Sequence, residues 1–324
     1  VNRTGIEYLD FTANPVVGCD MSLPCAEHCW ARRMARRLRA AGLPQYQNVV
    51  DAQGNWTGKT AFCEEALREL LRRRKPATVG IGFMGDLFHE SVPDIWIDRV
   101  FHTCAASPQH RFLILTKRSK RLAAYRQKFG MKGFLPNVGL GISASNQAEW
   151  EARAVDLLEK LAAMRFLSLE PLLGAVDISP WLRRWSGRGS GLPAPLAAAL
   201  ERLPDLNALD WVIVGGESGP GARPCHPDWV RSVRDQCQAA GVPFYFKQHG
   251  EFRPVAKHER LDLNVLLDRG RYVWRDGFSA GFLGPFNGRR LDDGDATLML
   301  RVGKSSAGRL FDGREWLELP EMLK

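Results

Sequence analysis

The sequence predicts an α/β fold: a parallel sheet closed partly or completely into a TIM-like (β/α) barrel, followed by a small C-terminal extension. Three observations carry this expectation. Short apolar runs alternate with helix-patterned segments, polar residues fall directly after nearly every run, and the rhythm stops after about Glu251. Residues 1–250 are therefore read as the barrel, with an insertion over about 179–208, and 251–324 as an extension packed on it.

The first run, Ile6–Phe11, is the weakest and precedes a cysteine-rich loop. Thr78–Phe83, Arg111–Leu115, Asn137–Ile142, Met164–Leu169, Trp211–Val214 and Pro243–Phe246 follow. Near-continuous apolar runs suit parallel strands covered on both faces. Between them Cys63–Arg74, Ile95–Ala105, Ser119–Lys128, Ala148–Ala163 and Pro227–Ala240 carry helical spacing, which implies βαβ units with right-handed crossovers. A doubly wound open sheet fits the same alternation. The polar residues favour the barrel: Asp86, Lys117-Arg118, Ser143 to Asn146, Glu170, Glu217-Ser218 and Lys247-Gln248 each follow a run. A barrel gathers all its strand ends at one mouth, whereas an open sheet gathers only those near its switch point. Ser179–Leu206, rich in Pro, Gly, Arg and Ala, reads as an insertion with a flexible glycine-rich tip. The tail, with Tyr272-Val273-Trp274 and Leu298–Val302, reads as short strands and turns.

A chain of 324 residues buries enough surface to need no disulfides. It holds no uninterrupted apolar run of about 18 residues, so no membrane span is expected. The start of the chain lacks the apolar core of a signal peptide, and a cytoplasmic setting with reduced thiols is the expectation. The formal net charge of +9 favours a polyanionic partner, nucleic acid above all. Arg32, Arg33, Arg36, Arg37 and Arg39 follow the cysteines, and Arg72, Arg73, Arg74 and Lys75 come later. Each cluster is either a solvated helix face or a phosphate-tracking surface.

Seven cysteines are an odd count for a disulfide framework. Cys63, Cys104 and Cys237 sit in helix-like stretches and read as small hydrophobes. Cys19, Cys25 and Cys29 cluster at the spacing C-x5-C-x3-C, in a loop shaped by Pro15, Gly18 and Pro24, with a helix expected to begin near Cys25 or Glu27. Three thiolates converge around something soft, an iron–sulfur cluster or zinc. A closed zinc site wants four ligands, and the candidate fourth, His28, would have to fold back beside Cys29. Three cysteines on a cubane instead leave one iron open.

A cysteine loop after a first barrel strand resembles the radical S-adenosylmethionine superfamily, whose usual spacing is C-x3-C-x2-C. The chain is more similar to a phage-type three-cysteine family of phages and bacterial islands. That resemblance runs through Asn14-Pro15 to Cys29, Asp86-Leu87-Phe88-His89-Glu90, Leu115-Thr116-Lys117-Arg118, Glu170-Pro171-Leu172-Leu173-Gly174, Gly215-Gly216-Glu217-Ser218-Gly219-Pro220, Phe246-Lys247-Gln248 and Val302-Gly303-Lys304. In that family the middle cysteine usually lies one place later and Tyr follows the third, where this chain has Cys25 and Trp30. The resemblance implies a [4Fe–4S] cluster on Cys19, Cys25 and Cys29, S-adenosyl-L-methionine as cofactor, an electron-donor protein as partner, and the host cytoplasm as the setting if the chain is phage-encoded. It assigns Asp86 to the methionine ammonium and Lys117 or Arg118 to its carboxylate. Ser143, Ser145 and Asn146 go to ribose hydroxyls, and Glu170 and Glu217 to ribose, ammonium or substrate.

Each residue has a plainer reading. Asp86 or Glu217 caps a helix, Lys117-Arg118 is a surface pair, His89 is a structural hydrogen-bonding residue, and Cys225 is an incidental loop cysteine. As catalytic candidates, Cys225 can supply a hydrogen atom or electron, Glu217 can hold the substrate, and Lys247 and Gln248 end the last strand, where Gln248 can read a base or amide. The expected activity is modification of a nucleic-acid base substituent, DNA favoured. The specific form is phage thymidine hypermodification by moving a glycyl group from nitrogen to carbon attachment. The alternatives are a lesion-repair lyase similar to spore photoproduct lyase, a non-catalytic zinc-stabilised nucleic-acid-binding protein, and a conventional methyltransferase. The last lacks its glycine-rich loop after the first strand.

Overall fold

The computed structural model describes residues 1–128, 135–159, 162–183, 185–186, 194–202, 205–256, 258–291 and 294–324. Seven strands run parallel: β1 (Phe11–Ala13), β2 (Thr78–Ile81), β3 (Arg111–Thr116), β4 (Val138–Ser143), β5 (Met164–Leu169), β6 (Trp211–Gly215) and β7 (Phe244–Gln248). They pair in chain order, and Asn2–Arg3 adds a short antiparallel edge to β1. The helices are α1 (Trp30–Ala40), α2 (Glu64–Arg72), α3 (Asp94–Ala105), α4 (Ser119–Lys128), α5 (Gln147–Leu158), α6 (Ala194–Arg202) and α7 (Pro227–Ala240). Sequential parallel order with right-handed crossovers puts α2 to α7 on one face of the sheet, whereas α1 packs with the cysteine loop around Val17, Tyr46 and Trp56. A doubly wound sheet would reverse its order at a switch point, and among the described residues the order does not reverse.

Alternation along the strands separates two cores. Phe112 and Ile114, Leu167 and Leu169, Val212 and Val214, and Phe244 and Phe246 face the helices, where Val100, Trp150, Leu157 and Val233 meet them. Leu113, Met164, Phe166, Trp211, Ile213 and Tyr245 face the other way and meet Tyr8 and Leu9. The Tyr8 ring lies 5.2 Å from Trp211 and 5.3 Å from Tyr245, in edge-to-face contacts. Because Tyr8 precedes β1 at one edge of the sheet, these contacts curl that edge toward β6 and β7. On β4 the inward positions are Gly139 and Gly141. A β carbon at Gly141 would collide with the Phe166 ring, and one at Gly139 with Met164 and Leu113. The glycines therefore make room for large neighbours in a tightly packed inner layer.

One expectation needs correcting, and one is narrowed. Ile6–Phe11 does not form the first strand. A turn closed by Leu9 N–H to the Ile6 carbonyl (2.9 Å) sends Ile6, Tyr8 and Leu9 into the inner cluster, and the strand starts at Phe11. Among the described residues, β1 and β7 are not hydrogen-bonded to each other, so no closed barrel is present.

In the insertion, a 3-10 turn (Ser179–Trp181) leads to Trp185–Ser186, which pairs antiparallel with Asp205–Leu206. The expected tip at 187–191 lies outside the described residues, as do 160–161 within the expected helix Ala148–Ala163. In the C-terminal extension β8 (Phe252–Pro254), β9 (Gly270–Trp274), β10 (Ser279–Gly281) and β11 (Ala296–Arg301) form an antiparallel sheet in the order β8-β11-β9-β10. Phe252, Val273, Met299 and Phe311 join the main core, and Leu317 to Leu323 return to pack under the inner cluster. No helix among the described residues is long and apolar enough to cross a membrane.

Candidate active site at the strand ends

The cysteine loop leaves β1 and is fastened to the carboxyl ends of its neighbours. Asn14 Oδ1 accepts the Met84 N–H at 2.9 Å, and Val16–Val17 pairs with Ala61–Phe62. Gly18, at φ +105°, donates its N–H to the Met84 carbonyl (3.1 Å) and lies directly on Gly85. A β carbon on Gly85 would sit 2.6 Å from the Gly18 oxygen, so this backbone crossing requires glycine on both sides.

Asp20 completes the fastening. Its Oδ2 meets His89 Nε2 at 2.8 Å and accepts from Arg118 Nη2 at 2.7 Å, while Oδ1 accepts from Ser22 N (2.8 Å) and Oγ (2.5 Å). Arg118 also donates to Glu90 Oε2 at 2.8 Å. Burial works to raise the Asp20 carboxyl, but the bonds from Ser22, Arg118 and His89 outweigh it and hold it far below the usual range. Farther along, Pro24–Ala26 forms a 3-10 turn and Cys29 is the N-cap of α1. The helix thus begins at Trp30, later than the Cys25 or Glu27 expected from sequence: Cys29 itself is still extended, at ψ 116°.

The half-buried sulfurs sit among the strand-end charges. Burial, reinforced by the Asp86 charge and opposed by Arg118, pushes the Cys19 thiol up to about 11. Burial also raises Cys25, against the opposing charge of Lys117. Among the described residues, the side chains with ligand atoms gathered within 4.8 Å of one another are Cys19, Asp20 and His89. The Asp20 oxygens are committed to Arg118, His89 and Ser22, and His89 Nδ1 lies 2.9 Å from Ser91 Oγ. A cation there would have to displace a guanidinium from the same oxygen, so this trio is a tether.

The structure brings most of the sequence-predicted strand-end residues to this end of the sheet. Asp86, after β2, is buried and accepts from Phe88 N (2.9 Å), Thr116 Oγ1 (2.6 Å) and Lys117 N (3.0 Å). Asn146 caps α5 by accepting the Glu149 N–H at 3.0 Å, and Glu149 reaches back to the Ser145 N–H at 3.1 Å. The Ser143 carbonyl accepts from Arg153 Nη1 at 2.6 Å, and its side chain is buried. Glu170 Oε2 takes Lys247 Nζ at 3.1 Å and Ser168 Oγ at 3.3 Å, whereas its Oε1 is buried without a protein partner. Gly215 stands against that carboxylate: a β carbon there would lie 2.8 Å from Oε1.

Glu217 forms a two-pronged pair with Arg223 Nε and Nη2 (both 2.8 Å). Burial opposes its charge, but the Arg223 bonds prevail and hold the carboxyl below its usual range. Gln248 is spent on the backbone, donating to the Gly216 carbonyl at 2.8 Å and accepting from Gly250 N. Cys225 is apart from this group. It belongs to the main apolar core, its thiol pushed up to about 12 by burial. The two basic clusters also separate. Arg33 on α1 donates to the Ser218 carbonyl at 3.3 Å, beside the strand ends, whereas Arg73 lies over the Phe11 ring at the entry to β1.

Sequence reasoning missed Asp20 as the anchor, and with it the pairing of Arg223 to Glu217. Adjacency to Cys19 was the available signal for Asp20, but spacing cannot tell which of several nearby carboxylates meets Arg118.

A family model described as protein of unknown function (DUF5131) matches residues 3–320, and the chain belongs to that family. No curated protein and no solved structure matches the chain.

Proposed function

We propose that the protein is a radical S-adenosylmethionine enzyme acting on nucleic acid, built on an open (β/α) barrel. The observation that carries this reading is the cysteine loop clamped across the carboxyl ends of the parallel strands by Asn14, Gly18 and Asp20, where the charges of Asp86 and Lys117 act on Cys19 and Cys25. Strand ends are where β/α folds place their chemistry.

The donor set fits a cluster. Burial holds Cys19 and Cys25 as thiols at neutral pH, so a soft metal must draw off their protons. A single zinc ion holds tetrahedral sulfurs about 3.8 Å apart, and the three cysteines do not form a group within 4.8 Å. A [4Fe–4S] cluster would be held by one thiolate each from Cys19, Cys25 and Cys29 and would not require the three sulfurs to meet at a single ion. Bound there, a [4Fe–4S] cluster supplies one iron free of cysteine and the electron that splits the sulfonium of S-adenosylmethionine.

The chain's own residues then bind and orient. Asp86, locked by Thr116 and two backbone N–H groups, places fixed negative charge beside the cofactor's ammonium. Lys117 faces the carboxylate. Ser143 and Ser145 offer hydrogen bonds to ribose. Glu170 offers Oε1 to a bound hydroxyl or ammonium while Lys247 balances its charge. The favoured substrate is a modified thymidine in DNA, with a glycyl group moved from nitrogen to carbon attachment at unchanged composition. A modified oligonucleotide left unaltered by cofactor-cleaving enzyme would exclude that substrate.

The test is anaerobic reconstitution with iron and sulfide, followed by dithionite and S-adenosylmethionine. The expected product is 5′-deoxyadenosine from wild type and none from Cys29→Ala. A colourless, zinc-loaded protein that makes no such product would overturn the reading in favour of a metal-stabilised binding protein.

A further inference from the structure

Helix α1 concentrates arginines that no carboxylate among the described residues neutralises. Many other guanidiniums are matched by carboxylates: Arg68 and Arg72 with Glu64 and Glu65, Arg231 and Arg234 with Asp312, Arg275 with Asp228, Arg289 with Asp276. Helix α1, Trp-Ala-Arg-Arg-Met-Ala-Arg-Arg-Leu-Arg-Ala, contains no acidic residue. Among the described residues, none of its five arginines forms an ion pair. Ala31 and Ala35 bury one face, and the opposite face presents Trp30 (49% exposed), Met34 (38% exposed), Arg36 and Arg37 to solvent. Trp30 and Met34 thus set apolar area next to guanidiniums whose charge no carboxylate of the helix offsets, a combination that suits a ligand with both flat apolar and anionic parts.

We infer that the outer face of α1 is the docking surface for a single-stranded segment of nucleic acid, with Arg36 and Arg37 on its phosphates and Trp30 stacked on an unpaired base. Unpaired guanidiniums attract phosphates, and an exposed indole offers a stacking platform to any base. The position suits a substrate path. Trp30 follows Cys29 directly, and Arg33, one turn on, ties the helix to the Ser218 carbonyl after β6. A strand laid along α1 is thereby led to the strand ends. An anionic membrane fits less well, because this face offers two apolar side chains where an interfacial helix needs a broad apolar stripe. The inference rests on the proposed substrate class and adds where the strand docks.

The experiment is fluorescence anisotropy of labelled single-stranded oligothymidine, about 15 nucleotides long, titrated with the full chain both free of and reconstituted with iron. Trp30→Ala is expected to weaken binding about 10-fold, and Trp30→Phe to restore most of it. Arg36→Gln with Arg37→Gln is expected to flatten the slope of log affinity against log salt by about 1.4, at about 0.7 for each phosphate no longer neutralised. Arg68→Gln with Arg72→Gln, on α2, leaves both unchanged. Wild-type protein that ignores the oligonucleotide, α1 variants that bind like wild type, or binding to phosphatidylserine vesicles alone would each overturn the inference. Oligonucleotide binding without 5′-deoxyadenosine production would keep the docking surface and remove the enzyme.

Discussion

Asp20 concentrates the argument at the scale of one residue. It neighbours a proposed cluster ligand, yet its carboxylate is spent entirely on protein: Arg118 from the end of β3, His89 from the loop after β2, and Ser22 within its own turn. A charge-assisted network of this kind is stronger than its exposed counterparts, and cutting one member strands the others. In Asp20→Ala the Arg118 side chain, 11% exposed, keeps only Glu90, and His89 keeps Ser91 on Nδ1 but loses its partner on Nε2. The expected cost is about 1–2 kcal/mol, because Asp20 is still partly solvated. Iron bound per chain after reconstitution should fall with it, since the tether sets where Cys19 stands. Asp20→Asn keeps a hydrogen-bonding oxygen and should lie between. A melting temperature and an iron content both equal to wild type would mean that the tether holds nothing.

At the scale of the element, helix α5 tests whether Asn146 is structural or also binds cofactor. Its side chain accepts the Glu149 N–H, and removing such a cap costs about 1 kcal/mol. Asn146→Ala should therefore lose stability whatever its other role. Asn146→Asp preserves the cap. If it retains the wild-type melting temperature but requires more S-adenosylmethionine for half-maximal turnover, the side chain reaches the cofactor. If both values are unchanged, it is a cap alone. Other elements show what was legible in the sequence. Met164–Leu169 and Pro227–Ala240 are observed at the bounds their apolar spacing predicts, and the helix expected from Ser119 starts there, because buried strands and amphipathic helices write a strong period. Ile6–Phe11 misled, since its apolar residues fill the inner face from a turn, and composition does not distinguish a strand from a plug. The strand-end polar residues were findable as a set, because topology gathers them. Their pairings, Glu170 with Lys247 and Glu217 with Arg223, join residues whose partner choice depends on side-chain direction in the fold, which spacing does not encode.

For the whole molecule, the buried histidines set the response to acid. His110, after α3, and His226, capping α7, are fully buried, and His249 follows β7. In all three, loss of hydration on burial lowers the pKa, so the folded chain keeps them neutral where the unfolded chain would protonate them. The sign follows from linkage: below the unfolded value of about 6.5 the unfolded state binds more protons, so stability falls as pH falls toward the depressed folded values. Each histidine contributes a slope of up to about 1.4 kcal/mol per pH unit in that window. The carboxylates held low by ion pairs, Asp20, Glu217 and Asp312, act in the same direction but only nearer pH 4, where their unfolded counterparts begin to protonate. Acid sensitivity should thus come in two stages. Urea unfolding at pH 7.5, 6.0 and 5.0 is expected to show a midpoint that is highest at 7.5 and declines before any carboxylate titrates. His226→Asn, which keeps a side-chain oxygen for the α7 cap, should make the decline between 7.5 and 5.0 shallower. A midpoint constant across that range would show that the three imidazoles meet their protons equally well folded and unfolded, and that burial at these positions is not what sets the acid limit of the fold.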